Sequence, residues 1–303
     1  MAIARSTEPI TDDDATIEAM LPDGHLPALL PALAVAIGDM SLLRGDLRPV
    51  MASPPPPPQG GLSPAQQEAA RGLAMDAIRV LRERSDVEPL PLDEAHISQV
   101  IEWMTGSSAA SAREYLPLVM EELAIAEGDP RAPKWRKDPD TEFTVAVIGS
   151  GMSGILAGVR LGQAGVPYVI LEKNADVGGT WFENTYPGAR VDVSNAFYSY
   201  SFAQRVDWPK HYSTQQILLD YFRDCAVEFG VHDHIRFNTE VVSARYDEPR
   251  ALWVLHLRTP EGDETVEVQS VISAVGQLNR PKLPEIAGRD TFAGPAFHSG
   301  HWD

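Results

Sequence analysis

The spacing of apolar residues changes along this chain, and the changes separate helical segments from strands. Residues 143–148 form a β-branched apolar run that predicts a buried strand. Helical spacing follows from Ser153 to about Ala164, and a second apolar run from Tyr168 to Leu171 predicts another strand. A strand, a helix and a strand in this order predict a βαβ unit and a parallel sheet.

The first 128 residues have helical spacing, with apolar residues concentrated around residues 29–40. Ser63, followed by Pro64 and Gln66, predicts a capped helix start. Two further helices are predicted, from near residue 93 to residue 106 and from residue 109 to residue 124, and Pro117 should kink the second. These patterns predict an all-α extension over residues 1–128.

The extension has three apolar stripes, more than a short appended region needs for its own packing. We therefore expect residues 63–124 to associate, and a homodimer is the first expectation because two-fold pairing is common. A proline-rich linker is predicted at residues 53–61; a peptide-docking segment is the alternative. Residues 129–142 form a second linker, which places the chemistry of the chain in residues 143–303.

The later part of the chain predicts a helix and four more strands. Ser213 and Gln216 indicate a capped helix that ends at Gly230. The continuous apolar run of residues 270–275 is typical of a strand that returns to a buried parallel sheet. Period-two alternation predicts an antiparallel meander from three segments, 239–246, 253–258 and 265–268.

Chemistry enters where the first strand breaks into a G-x-G-x-x-G turn formed by Gly149, Gly151 and Gly154. These glycines permit a tight turn, close approach of the backbone to a pyrophosphate, and close packing of the helix on the strand. The N–H groups at the helix start, at Met152 and Ser153, would face the phosphates. Glu172, at the end of the second strand, would accept hydrogen bonds from both ribose hydroxyls of an adenosine. The alternative is a set of ordinary turn glycines and a solvated carboxylate.

Composition limits the partners of the chain. Its 303 residues carry a formal net charge of −18, which argues against a nucleic-acid or anionic-membrane surface. The apolar stretch of residues 26–37 is too short to span a bilayer, and no signal-peptide pattern precedes it, so we expect a cytoplasmic protein. The single cysteine, Cys225, shares a helical stripe with aromatic residues and is expected to be a buried, inert thiol.

Several motifs together resemble the flavin-binding part of the Baeyer–Villiger monooxygenases. The most specific is residues 292–303, which match the family fingerprint F-x-G-x-x-x-H-x-x-x-W-[PD] at Phe292, Gly294, His298, Trp302 and Asp303. Two further segments, 178–181 and 186–192, resemble the family's G-G-T-W and Y-P-G-x-x-x-D motifs. Within the family, the helical extension and the segments at 129–133, 183–188 and 276–281 are most similar to enzymes that act on aryl ketones such as acetophenones.

The resemblance implies an α/β fold: a Rossmann-like, glutathione-reductase-like FAD-binding domain with an antiparallel meander. It implies FAD and NADPH as cofactors and a small ketone and O2 as substrates. Asp192 is the implied catalytic residue, since it would hold in place an arginine that steadies the reacting flavin. The remaining implied cofactor contacts, besides the glycine turn and Glu172, are Lys173, Gly179, Thr180, Trp181, Asp192, Tyr198, Val242 and Gln277; no metal is implied.

The family places a second nucleotide fold, for NADPH, and the arginine after the fingerprint, so the chain is expected to be the N-terminal portion of such an enzyme. Two alternatives stay open: a related flavin monooxygenase that oxidises amines or sulfides, and a flavin-binding or oligomerisation fragment without turnover. Trp181 could equally be a core aromatic residue beside ordinary turn glycines. His298 and Trp302 could likewise be structural residues.

Overall fold

A computed structural model describes residues 9–50, 57–84, 86–106, 108–123, 129–205 and 207–302. The chain divides into two compact units, residues 1–128 and 129–303. Part of the predicted proline-rich linker, residues 53–56, lies outside the described residues. The predicted end of the third helix at residue 124 and the fingerprint residue Asp303 also lie outside them.

All regular secondary structure in the described part of the first unit is helical. Among these residues it contains the α-helices α1 (Asp14–Met20), α2 (Leu26–Ile37), α3 (Pro64–Glu83), α4 (Glu94–Thr105) and α5 (Ala109–Glu122). The helix pattern seen in the sequence is thus confirmed, although α2 begins earlier than residue 29 because Pro27 suits its first turn.

Two predicted helix boundaries of this unit are confirmed by their capping contacts. The Ser63 hydroxyl accepts a hydrogen bond from the backbone N–H of Gln66, and the Gln66 side chain accepts one from the N–H of Ser63. The Asp93 carboxylate accepts one from the N–H of His96 at 2.9 Å and so caps α4. That helix ends at Gly106, whose φ of 67° is left-handed and favours glycine.

The core of the first unit lies mainly between α2 and α3. Leu26 and Leu30 of α2 and Ala70 and Ala74 of α3 are fully buried. A separate, smaller cluster joins α4 to α5. On α5 two large apolar side chains stay exposed, Tyr115 and Leu118. No described helix combines the length and the apolar composition needed to cross a membrane.

The second unit holds two sheets. Its strands are β1 (Val145–Ile148), β2 (Tyr168–Leu171), β3 (Ile235–Arg236), β4 (Glu240–Asp247), β5 (Leu252–Thr259), β6 (Gly262–Val268) and β7 (Ser270–Ser273). A parallel sheet has the order β3-β2-β1-β7, and β4, β5 and β6 form an antiparallel sheet. The parallel βαβ unit and the return of residues 270–273 to its sheet are confirmed, whereas the two-residue strand β3 was too short to predict.

The helices of this unit are α6 (Met152–Gln163), α7 (Thr180–Glu183) and α8 (Gln215–Glu228). One face of the parallel sheet packs Val147 and Ile170 against α6. On the other face, Ala146 and Leu171 pack against Leu255, Leu257 and Val268 of the antiparallel sheet. Successive strand residues point to opposite faces, so both faces of the parallel sheet are covered.

The predicted cap of α8 is wrong. The helix begins after Thr214, and the hydroxyl of Ser213 instead accepts a hydrogen bond from the Asn195 side chain at 2.8 Å. Ser213 is fully buried, so its hydroxyl is held by this partner and makes no cap for the helix. The prediction for Cys225 on the same helix is confirmed, because its thiol is buried and burial raises its pKa to about 12.

Candidate functional site

The site is built where β1 and β2 end at the same level. Val145 lies opposite Tyr168, and Ile148 lies opposite Leu171. This register brings Gly149, just after β1, next to Glu172, just after β2. The backbone N–H of Gly149 donates to the carbonyl of Leu171 at 2.9 Å and fixes the turn against the neighbouring strand.

The first glycine loop, residues 149–154, leaves no room for side chains at two positions. Gly149 has a φ of 97°, and a Cβ there would lie 2.9 Å from the carbonyl oxygen of Ala274. A Cβ on Gly154 would lie 1.9 Å from the carbonyl oxygen of Gly149. Gly151 caps α6, so the N–H groups at Met152 and Ser153 lie in its first turn, where helices lack internal partners for them.

A second glycine loop, residues 178–179, contacts the first. The N–H of Gly178 donates to the carbonyl of Ser150 at 3.1 Å. A Cβ on Gly179 would lie 3.0 Å from the Cα of Gly151. Both glycines have positive φ, 114° and 52°. The backbones of the two loops therefore meet without intervening side chains, which is the arrangement that a phosphate-bearing ligand needs for close approach.

Glu172 is 3% exposed, and the loop supplies its partners. Its Oε2 accepts hydrogen bonds from the N–H of Ser150 at 2.7 Å and from the Ser150 hydroxyl at 2.9 Å. Its Oε1 accepts one from the N–H of Asn174 at 2.9 Å. The carboxylate is thus a buried part of the loop, and the alternative of a solvated strand end is wrong.

The neighbouring polar residues form a network at the same edge of the sheet. The ammonium of Lys173 contacts the side-chain oxygen of Asn279 at 2.7 Å and a carboxylate oxygen of Glu183 at 2.8 Å. The Asn174 amide donates to the same oxygen of Glu183 at 3.1 Å. Of the other predicted contacts at this edge, Ser153 and Thr180 are exposed, and the Met152 carbonyl accepts a hydrogen bond from Tyr200.

Trp181 lies in the core of the unit, and the partly buried Tyr198 packs against that core. The Trp181 indole is 8% exposed, packs with the cluster around Leu218, and donates from Nε1 to the Tyr198 hydroxyl at 3.2 Å. Their rings meet edge to face, 5.7 Å apart. The core interpretation of Trp181, left open by the sequence, describes its position in the structure.

Asp192, Gln277 and Val242 are further predicted site residues that are exposed. Asp192 follows buried Val191 and forms no ion pair with any described residue. Gln277 lies beyond β7 in an exposed segment. Val242 sits on β4, where the register with β5 shifts between Val241 and Ser243. It lines a cavity of about 170 Å³ formed wholly by residues of the antiparallel sheet, none of which is another predicted site residue.

The fingerprint segment packs locally and passes close to α7. A Cβ on Gly294 would lie 2.6 Å from the ring of Phe292, and the Trp302 indole lies edge-on to Phe297 at 4.6 Å. His298 accepts a hydrogen bond from the N–H of Gly300 at 3.0 Å. A Cβ on Gly300 would lie 3.7 Å from the side-chain oxygen of Asn184, the residue that follows α7.

Sequence reasoning missed Ser150, Asn174 and Asn279. Ser150 occupies the variable position between the first two glycines, where the motif demands no hydroxyl. Its contact with Glu172 depends on the β1–β2 register, which the residue pattern alone does not specify. No cluster of metal-ligating side chains occurs in the part of the chain that the structure describes.

The parallel sheet and its two glycine loops define a dinucleotide-binding class of protein. Residues 147–207 match the family "NAD(P)-binding Rossmann-like domain". The monooxygenase y4iD of Sinorhizobium fredii is 35% identical over 293 residues, which cover 95% of this chain and 43% of that protein. This match includes the helical unit. A Baeyer–Villiger monooxygenase of Streptomyces coelicolor is 44% identical over 160 residues, covering 52% of this chain and 30% of that protein.

Among solved structures, that of OTEMO in complex with FAD and NADP covers 55% of this chain and 31% of that chain, with 36% identity and a TM-score of 0.48. The chain is thus similar in sequence to Baeyer–Villiger and other FAD-binding monooxygenases. The chain spans less than half the length of the relatives named here.

Proposed function

We propose that this chain supplies the FAD-binding part of an NADPH-dependent Baeyer–Villiger monooxygenase, which inserts an oxygen atom beside a ketone carbonyl to give an ester. The observation that carries the proposal is the meeting of the two glycine loops at Gly151 and Gly179, beside the buried carboxylate of Glu172. The antiparallel sheet packed on the parallel sheet supports the more specific assignment of a glutathione-reductase-like FAD domain.

The residues present fit FAD by the shape and chemistry of the loops. A side chain at Gly151 or Gly179 would fill the place where the two loops meet, so glycine at both positions leaves the backbone accessible to a ligand. The start of α6 presents N–H groups and the positive end of the helix dipole. A pyrophosphate is the group that such a cradle suits, and Glu172 offers an acceptor for a ribose hydroxyl. When bound, FAD would supply the oxidation chemistry, while the protein would bind and orient it and set the electrostatic environment around it.

Asp192 is proposed as a positioning residue. Its carboxylate is exposed and unpaired among the described residues, so it is accessible to a cation. By the family resemblance that cation is an arginine, and residues for NADPH lie mostly outside this chain. A negative charge near the flavin would oppose any anion formed there, and a paired arginine would reverse that effect.

For the substrate we propose an aryl ketone, as in 4-hydroxyacetophenone monooxygenase. The support is the helical extension together with three segments that resemble that subgroup, at residues 129–133, 183–188 and 276–281. The proposed partners are thus a small ketone and O2, and the proposed assembly is a homodimer through the helices of the first unit. Exposed Tyr115 and Leu118 on α5 are apolar side chains that such an interface would cover.

The test is made on the protein expressed from its gene and, in parallel, on the 303-residue chain. The full protein should show a flavin absorbance spectrum, oxidise NADPH when an aryl ketone is added, and release the ester. The 303-residue chain should bind FAD but consume no NADPH. Oxidation of an amine or sulfide without ester formation would favour the related monooxygenase. Absence of flavin binding would contradict the proposal.

A further inference from the structure

Glu172 has few acceptor positions left for a ligand. An ionised carboxylate offers about four lone-pair positions on its two oxygens. Oε2 holds two donors, the N–H and the hydroxyl of Ser150, and Oε1 holds one, the N–H of Asn174. With the donors of the described residues counted, one position, on Oε1, remains. This count disagrees with the expectation that Glu172 accepts from both ribose hydroxyls.

The donors that fill the other positions are themselves held in place. The Ser150 carbonyl accepts the N–H of Gly178, and the Asn174 carbonyl accepts the N–H of Asn238 at 2.9 Å. The backbone of Glu172 is fixed on both sides, since its N–H donates to Arg236 and its carbonyl accepts from Thr239. Ser150 is fully buried, so no solvent competes for its hydroxyl.

We propose that Ser150 makes Glu172 selective for a single hydroxyl of the adenosine ribose. The Ser150 hydroxyl occupies the Oε2 position that a second ribose hydroxyl would use, and it leaves the Oε1 position for the first. Ser150 thus acts through Glu172 as a specificity-determining and positioning residue. The inference rests on the proposed binding of FAD, and it specifies that the buried carboxylate accepts a hydrogen bond from one hydroxyl of the adenosine ribose.

The test compares FAD with two analogues whose adenosine lacks either the 2′- or the 3′-hydroxyl, titrated into the cofactor-free 303-residue chain by flavin fluorescence. With the natural sequence, one analogue should bind about tenfold or more weakly than FAD, as expected for a lost hydrogen bond to a charged acceptor. The other should bind within about threefold of FAD. This comparison needs no variant.

The variant Ser150→Ala opens the second position on Oε2. Both analogues should then bind more weakly than FAD, each by about tenfold. The matched control is Ser213→Ala, which removes another fully buried and hydrogen-bonded serine hydroxyl that does not touch Glu172. A general loss of stability would affect both variants, but only Ser150→Ala should change the discrimination between the analogues.

Equal weakening of both analogues with the natural sequence would overturn the inference while leaving FAD binding intact. Unchanged affinity for both would also overturn it, because Glu172 would then read neither hydroxyl. If the chain binds no FAD at all, the proposed function fails and the inference fails with it. The two failures are therefore distinguishable by whether FAD itself binds.

Discussion

Gly151→Ala should weaken cofactor binding with little effect on folding. Gly151 has a φ of −71°, which an alanine adopts without strain. Its Cβ would lie 3.6 Å from the Cα of Gly179, an ordinary van der Waals distance. Alanine is a poorer N-cap than glycine but restricts the unfolded chain, so the net change in the free energy of unfolding should stay within about 1 kcal/mol.

The added methyl group would occupy the contact between the two loops, where the proposed pyrophosphate needs close approach of the backbone. Loss of a single charge-assisted hydrogen bond costs about 1.5–3 kcal/mol, which corresponds to roughly ten- to 150-fold weaker FAD binding. Gly151→Val, with a bulkier side chain, should remove bound flavin entirely.

Gly154→Ala provides the contrasting result. Its Cβ would lie 1.9 Å from the carbonyl oxygen of Gly149, so the helix must move away from the strand and stability should fall by about 1–3 kcal/mol or more. Gly162→Ala is the control, because its Cβ would meet nothing closer than Tyr168 at 3.9 Å. Each variant is assayed by FAD titration and by denaturant unfolding. If Gly151→Ala bound FAD as tightly as the natural sequence, the cradle assignment would be refuted.

Three further predictions concern other parts of the chain. In the full protein, Asp192→Ala should leave FAD bound but slow NADPH-dependent ketone oxidation about tenfold or more, as measured by steady-state kinetics; an unchanged rate would remove its proposed role. A chain that starts at residue 129 should have a lower oligomer mass by light scattering than the whole chain, and an unchanged number of subunits would rule out the helices as the interface. Asp129 is partly desolvated, which alone would raise its pKa, but hydrogen bonds from Arg160 and Gln163 outweigh burial and lower it. The ionised carboxylate of Asp129 therefore stabilises the fold above the unfolded pKa of about 3.9, and this stabilisation is lost as pH falls through the lower folded pKa. Asp129→Asn should lower the free energy of unfolding by roughly 1–3 kcal/mol at pH 7 and by much less near pH 2, as measured by denaturant unfolding.

The local elements of the fold were predictable because each has a physical cause within a few residues. The apolar run of β2 was placed at its observed bounds, Tyr168–Leu171, since a buried parallel strand needs apolar residues on both faces. The capping box at Ser63 and the left-handed glycine at residue 106 likewise depend only on neighbouring residues. The glycine turn was found by the same means, since its motif is local.

Contacts between distant residues were less predictable. Ser213 looked like a helix cap because its partner, Asn195, is 18 residues away. Val242 was assigned to the cofactor by resemblance and stays a prediction; its position beside a cavity of the antiparallel sheet, at a register shift of β4, could not be read from the residue pattern. On composition alone Trp181 could contact the cofactor or lie in the core, and the packing of its indole around Leu218 depends on distant residues.

Ser150 depends both on a local sequence motif and on contacts between distant residues. Its sequence position is set by the local glycine motif, but its contacts join three separate segments: the first loop, the end of β2 at Glu172 and the second loop at Gly178. The glycine loops are consequently held by hydrogen bonds within the protein itself. A binding site organised in this way loses less conformational entropy when a nucleotide binds, which favours tight binding of a cofactor with few direct side-chain contacts. In the proposed site the glycines would let the nucleotide approach the backbone, and the hydrogen bonds of Ser150 to Glu172 and Gly178 would hold the two loops in position.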